Sequence, residues 1–396
     1  MQLKLHDFDF SVPAELIAKH PLKNRDGCRL LVVRRTTKAS CGERLVPTRD
    51  EESRTTGLQN KPVFEHRQFS DVLEHLQPGD VLVLNDAKVN KSRFFATRPT
   101  GGKVEVLLHG KGRDNTWEAI ISHSARIKEG EFLALNGNGS GPPPRVGEGL
   151  GERSGFRILS KQNNRAIVEI VGANGVRPIS DIFEKYGTIP IPPYLERPAE
   201  KEDEEDYQTV FAKTPGASAA PSAGLHFTPE LLDKIKSKGV EITYLSLLVG
   251  PGTFEPIRGD DITQHKMDKE YFEISEETCA KINAAKKSGK KVWAVGTTVV
   301  KALETAARSN DVTNFPPRLG EGLRKRSLSG DSDLFIHPPF DFKIVDGLIT
   351  NFHWPRSTLI LLVVAFAGKD QILSAYNEAI DRRYRFFSYG DAMLIY

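Results

Sequence analysis

The sequence is poor in cysteine, methionine and tryptophan, with three of each in 396 residues. Cys28, Cys41 and Cys279 are far apart, odd in number and form no C-x-x-C pair. That excludes a disulfide scaffold and a cysteine-built zinc site, and it suits a reducing compartment. Long apolar runs are missing too. The longest, Leu359 to Ala367, is about half of the ~20 residues a membrane helix needs, and Met1 to Asp7 holds no apolar signal core. A cytoplasmic protein with no membrane contact is expected. No charge dominates: 55 Lys and Arg against 52 Asp and Glu leave a net charge of +3. A basic coat over the whole surface is excluded, whereas a local basic patch is not. The ten histidines show no H-x-x-x-H or H-E-x-x-H spacing, so a metal hydrolase is not expected.

At roughly 150 residues per domain the length implies two or three domains. Three stretches look like surface insertions: 36–61, 136–155 and 309–332. They are polar or Gly/Pro-rich and cannot bury enough apolar surface to offset chain entropy. The last two share a short similarity, R-V-G-E-G-L-G-E-R-S from Arg145 and R-L-G-E-G-L-R-K-R-S from Arg318, too few copies for a repeat fold. Between the insertions the pattern is regular. Short apolar strands at Asp80–Leu84, Lys103–Leu108, Thr116–Ser122, 132–134, 156–159 and Ala166–Val171 suggest a small barrel or sandwich. Beyond it, helix and strand alternate. Thr228 and Ser275 have the form of helix N-caps, the first with Pro229 behind it, and the strands Glu241–Val249 and Lys290–Val295 follow. Leu359–Ala367 fits either a buried strand or a helix. The expected fold class is therefore α/β and multi-domain: an α/β main domain from 1–62 and 173–396, with a small β-barrel domain inserted at 63–172.

Six segments concentrate Gly, His, Thr, Asn and Pro between apolar stretches, where rigid elements hold functional loops. Ala220–Phe227 places His226 before a helix start. Val249–Phe254 supplies Gly250, Gly252 and Thr253 after a strand end, where open α/β sheets bind ligands. His265 to Glu270 gathers an imidazole, acids and cations, and as a strand would put His265, Met267 and Lys269 on one face; it reads equally as a solvated charge run. Gly296, Thr297 and Thr298 form a small-residue turn at a helix start, suited to an anion. Thr350–Thr358 carries Phe352, His353, Trp354 and Arg356, and Tyr384–Met393 carries four aromatics with Arg385, which suit base stacking or core packing. Lys88, Lys91, Arg93, Arg98 and Lys103 surround Phe94 and Phe95 with no acid between Asp86 and Glu105, a phosphate-contact candidate.

Taken in order, these segments resemble the S-adenosylmethionine:tRNA ribosyltransferase-isomerase family of queuosine biosynthesis. The resemblance runs from Phe8-Asp9-Phe10 through Leu82–Asp86, Thr100–Leu108, Ile189–Tyr194 and Tyr207–Val210 to Tyr389–Ile395. It implies an α/β domain with an inserted barrel. It also implies transfer of the ribosyl part of S-adenosylmethionine to the aminomethyl group of 7-aminomethyl-7-deazaguanine at the wobble position of a tRNA. Epoxyqueuosine forms, adenine and methionine leave, and no metal takes part. His226, His265 and His353, with Asp268, are then the catalytic candidates. Gly250, Gly252, Thr253, Gly296, Thr297 and Thr298 are candidate contacts to the co-substrate. Lys88, Lys91, Arg93, Arg356 and Arg385 are candidate contacts to tRNA, the expected partner of a monomer with no protein partner evident. The chain departs from the family's usual pattern at Leu248 and Asp268, each in place of His, and at Lys301 in place of Arg; Ser222 and Trp354 are milder changes. These departures motivate a second reading, a tRNA-binding relative without catalysis.

Overall fold

The computed structural model describes residues 4–35, 64–112, 115–136, 154–172, 179–254, 257, 259–308 and 327–396. The strands are β1 (Arg29–Val33), β2 (Phe64–Gln68), β3 (Val81–Asn85), β4 (Ala87–Val89), β5 (Arg93–Thr97), β6 (Lys103–Lys111), β7 (Thr116–Ile121), β8 (Phe132–Leu135), β9 (Gly155–Gln162), β10 (Arg165–Val171), β11 (Thr214–Ala217), β12 (Glu241–Leu247), β13 (Glu270–Ser275), β14 (Val292–Val295), β15 (Ser327–Ser332), β16 (Gly347–Asn351) and β17 (Ala392–Ile395). The α-helices are α1 (Val72–His75), α2 (Ile179–Tyr186), α3 (Asp203–Asp206), α4 (Pro229–Ser237), α5 (Glu276–Lys287), α6 (Thr297–Arg308), α7 (Thr358–Ala367) and α8 (Lys369–Asp381).

The main sheet runs β15-β13-β12-β3-β14-β16-β17-β1-β2. Its centre, β12-β3-β14-β16, is parallel throughout, and the antiparallel pairs lie on either side. Both faces are covered, which is why the central strands are apolar without a break. Val81, Val83, Val292, Ala294 and Leu348 face the layer built from α5, α6, α7 and α8. Leu82, Leu84, Trp293, Val295 and Ile349 face the opposite layer with Phe69, Val72 and α4. The alternation is the period of two that the pleat imposes.

The expected helix caps are present: the Thr228 and Ser275 side chains accept from the N–H groups of Leu231 and Thr278. The ambiguous Leu359–Ala367 run is helix α7. Among the described residues no single helix is long and apolar enough to cross a membrane; α7 and α8 pass that test only as a pair bent by 115°, and α7 is core.

The barrel closes as β10-β7-β6-β5-β8-β9, with Phe94, Val106, Leu108, Ile121, Phe156, Ile158 and Val168 inside. Helix α2 covers one end, its Phe183 ring set edge-on to Phe94 at 5.3 Å. Two expectations need correction. The strand at 80–84, read as the first of the barrel series, is β3 in the middle of the main sheet; a short strand buried on both faces looks the same from sequence in either setting. The stretch 327–332, read as part of an insertion, pairs with β13 as β15. The rest of the third stretch, 309–326, together with 36–61 and 137–153, lies outside the described residues.

Candidate active site

The four parallel strands of the sheet centre deliver their carboxyl ends to one place. There β12 runs on to Val249 and Gly250, β14 to Gly296 and Thr297, and β16 to His353, while β3 stops at Asn85. Asn85 ties these ends together. Its Oδ1 accepts from the N–H of Leu247 at 3.0 Å, and its Nδ2 donates to the Leu247 carbonyl at 3.0 Å and to Thr298 Oγ1 at 3.3 Å. Gly296 makes the strand-to-helix turn with φ of +90°, where a side chain would be strained.

Two adjoining cavities occupy this end of the sheet, of about 190 and 80 Å³, with Val249, Thr297, Thr298 and Leu359 common to both. The outer one is charged. Glu270 Oε1 accepts from the Gly250 N–H at 2.9 Å and its Oε2 from Lys301 Nζ at 2.8 Å, a pair that is almost wholly buried. Asp268 Oδ2 accepts from Arg165 of β10 at 2.7 Å, so the barrel contributes to the cleft wall. Gly252 lies so close beneath Asp268 that a Cβ would stand 2.4 Å from Oδ2. His265 lines the same cavity, its ring edge-on to Phe335 at 5.2 Å.

Among the described residues, no Asp, Glu, Lys or Arg lines the inner cavity. Its walls include Tyr194, Phe352, Phe387 and Trp354. The Trp354 ring is stacked on Phe387 at 4.3 Å and is 40% exposed. His353 is buried, with Nε2 2.8 Å from Thr350 Oγ1. Burial alone pushes its imidazole down to about 3, so the ring is neutral near pH 7.

His226 lines neither cavity. It sits behind the inner wall, with Nε2 3.0 Å from Asn351 Nδ2 and Nδ1 3.1 Å from Cys28 Sγ. Burial lowers its imidazole to about 4, against the opposing pull of Asp391. Burial also raises the Cys28 thiol far above its ordinary range, so it stays protonated.

Of the sequence candidates, the structure brings together Gly250, Gly252, His265, Asp268, Gly296, Thr297, Thr298 and His353. Thr253 falls in the short turn at Pro251–Phe254, and its side chain lies outside the described residues. The cations Lys88, Lys91, Arg93, Arg356 and Arg385 line neither cavity. Lys91 Nζ is 2.9 Å from both Glu184 and Glu204, Arg93 Nε is 2.9 Å from Glu105, Arg356 is paired with Asp9, and Arg385 lies 3.8 Å from Asp391; Lys88 is exposed on β4. The segment 265–269 is not a strand, so His265, Met267 and Lys269 do not share a strand face; β13 starts at Glu270. The aromatics of the last segment are core: Tyr384, Phe386, Phe387 and Tyr389 are all buried. Sequence reasoning gave no role to Asn85, Arg165 or Asn351, and took Glu270 only as a member of the charged cluster from His265. For the two asparagines there was a signal: each ends an otherwise apolar strand, VLVLN and GLITN, at the carboxyl edge. For Arg165 there was none.

The family model described as "Queuosine biosynthesis protein" matches residues 5–395. The chain is 44% identical over 394 residues to the S-adenosylmethionine:tRNA ribosyltransferase-isomerase of Sulfurihydrogenibium sp. strain YO3AOP1, covering 99% of this chain and 100% of that one. It is 41% identical over 397 residues to the protein of the same name from Thermotoga maritima, with the same coverage. The crystal structure of S-adenosylmethionine tRNA ribosyltransferase from Thermotoga maritima is 33% identical, with a TM-score of 0.49, over 98% of this chain and 100% of that one. With the family pattern spanning almost every residue and full-length relatives matched end to end, the chain belongs to the S-adenosylmethionine:tRNA ribosyltransferase-isomerase family of queuosine biosynthesis.

Proposed function

We propose that the two-part cleft is the reaction site of a transferase that takes S-adenosylmethionine as co-substrate. It moves the ribosyl group to the aminomethyl group of 7-aminomethyl-7-deazaguanine at the tRNA wobble position, isomerises it to the epoxycyclopentanediol, and releases adenine and methionine. The observation that carries this reading is the division of the cleft. S-adenosylmethionine has a charged end, the methionyl zwitterion and sulfonium, and a neutral aromatic end. The outer cavity offers Lys301, Arg165, Asp268 and Glu270 to the first, and the inner one offers aromatic and small neutral residues to the second.

The chemistry needs a base for the C5′ proton that the sulfonium acidifies, and a neutral amine to attack. Among the candidate imidazoles, His226 and His353 hold a proton too weakly for that work, because burial lowers them to about 4 and 3. His265, in the charged half, is the base we assign. The protein is read as a cytoplasmic monomer that needs no metal, with the inserted barrel domain, expected at 63–172 and with its barrel strands between Arg93 and Val171, flanking the cleft. Lys88 is ready to meet phosphate. Lys91, Arg93, Arg356 and Arg385 reach it by exchanging a carboxylate for a phosphate, which is cheap for exposed pairs such as Arg356 with Asp9.

No observation favours a relative without catalysis. Asp268 and Lys301, two of the positions that suggested it, hold charged partners inside the cleft. The deciding experiment supplies S-adenosylmethionine and an anticodon stem-loop bearing the aminomethyl-deazaguanine. Adenine release is expected; intact RNA binding with no adenine would overturn the enzymatic reading.

A further inference from the structure

Asn351 closes β16 at the inner cavity and is 1% exposed. Its Nδ2 lies 3.0 Å from His226 Nε2, 3.0 Å from the Phe387 carbonyl and 3.5 Å from the Ser388 carbonyl. Three acceptors converge on that atom, so it must be the nitrogen. A flipped amide would set oxygen against two carbonyl oxygens. The other branch, Oδ1, is buried and has no hydrogen-bond partner among the described residues. A buried acceptor left unpaired is costly, so the group calls for a partner, a bound water or a ligand.

The groups behind Asn351 hold it in this orientation. His226 accepts from Nδ2 only with its own proton on Nδ1, and Nδ1 faces Cys28 Sγ at 3.1 Å. The ring stays neutral because burial depresses it, with Asp391 and Arg385 the charged groups that act on it. Cys28 stays a thiol for the same reason.

We infer that the Asn351 carbonyl accepts the exocyclic amino group of the adenine of S-adenosylmethionine, and that His226 and Cys28 are the positioning residues that fix the amide. This rests on the reading of the cleft as the co-substrate site. A neutral donor fits, because among the described residues no acid lines the inner cavity to balance an ammonium, whereas the methionyl ammonium finds Asp268 and Glu270 in the outer one. An adenine amino group is neutral, planar and a donor, which matches an unpaired amide oxygen.

The test uses the full-length protein and two analogues of S-adenosylmethionine, one with hydrogen and one with oxygen at purine position 6, bound in a calorimeter. The wild type is expected to bind the 6-hydrogen analogue roughly ten- to a hundredfold more weakly, and the 6-oxo analogue more weakly still, since carbonyl would face carbonyl. Equal binding of S-adenosylmethionine and the 6-hydrogen analogue overturns the inference without any variant having to fold. In Asn351→Ala the preference falls toward one; a folded Asn351→Ala that keeps it also overturns the inference. His226→Gln, whose amide oxygen can accept from Asn351, keeps the preference and His226→Leu reduces it. An unchanged preference in His226→Leu removes the positioning role. Adenine release by the wild type is measured alongside. Its absence defeats the reading of the cleft, whereas release without discrimination at position 6 defeats only the role of Asn351.

Discussion

The two halves of the cleft stand on the same sheet edge yet use opposite physics. The outer half pairs four of its ionised side chains, Glu270 with Lys301 and Asp268 with Arg165. The inner half keeps neutral, by burial, the His353 ring that lines it and the His226 ring behind its wall. A charged group needs a partner when it leaves water, whereas a neutral imidazole needs only hydrogen bonds. One cleft can therefore accept a zwitterion at one end and an aromatic base at the other. The difference also separates the roles of its histidines. His265 stands among charges with its ring on Phe335, whereas His226 and His353 serve as neutral hydrogen-bonding groups.

The sharpest way to break this comparison is to move the base. His265→Ala is expected to lower the single-turnover rate of adenine release by roughly a hundred- to ten-thousandfold, with S-adenosylmethionine binding little changed. A drop of that size in His353→Gln with His265→Ala near wild type would reverse the assignment and put the base in the inner half.

Next in size is the buried pair. Lys301→Met leaves the Glu270 carboxylate buried and without its cation, and the expected loss of stability is about 3–5 kcal/mol, read from the urea midpoint. Lys301→Arg keeps the charge and is expected to lose far less. The double replacement Lys301→Met with Glu270→Gln recovers part of the loss. If Lys301→Met were as stable as the parent, the outer half would be wetter than its burial implies.

What sequence made legible follows the range of the interactions. The Thr228 and Ser275 caps depend on bonds three residues long, and both are present. The loops of the cleft were legible because small and polar residues interrupt apolar strands. Partners far away in sequence were not legible. The run from Lys88 to Lys103 looked like free positive charge because Glu184 and Glu204, which neutralise Lys91, lie about ninety or more residues downstream. His226 looked like a base because nothing near it in sequence shows that Cys28 and Asn351 close around it. The strand at 80–84 was misplaced because pairing between β3 and β12 spans 162 residues, as in the Asn85 to Leu247 bond.

The smallest effect separates the halves by pH. The folded imidazoles of His226 and His353 are lowered to about 4 and 3, while unfolded histidine titrates near 6.5. Between those values the unfolded chain binds protons that the folded one refuses, so stability rises with pH and is lost as pH falls below about 6.5. At pH 5 each ring is expected to cost about 2 kcal/mol relative to pH 7. Asp391 and Arg385 act on His226 in opposite directions, whereas His353 responds to burial alone, so the His353 share is the cleaner one. His353→Gln, which can still bond to Thr350, should therefore remove about 2 kcal/mol of the fall in stability between pH 7 and pH 5, while His75 and His109, also lowered by burial, keep their share of it. An unchanged fall in both His353→Gln and His226→Gln would mean that water reaches these rings, and the contrast between a charged outer half and a dry inner half would go with it.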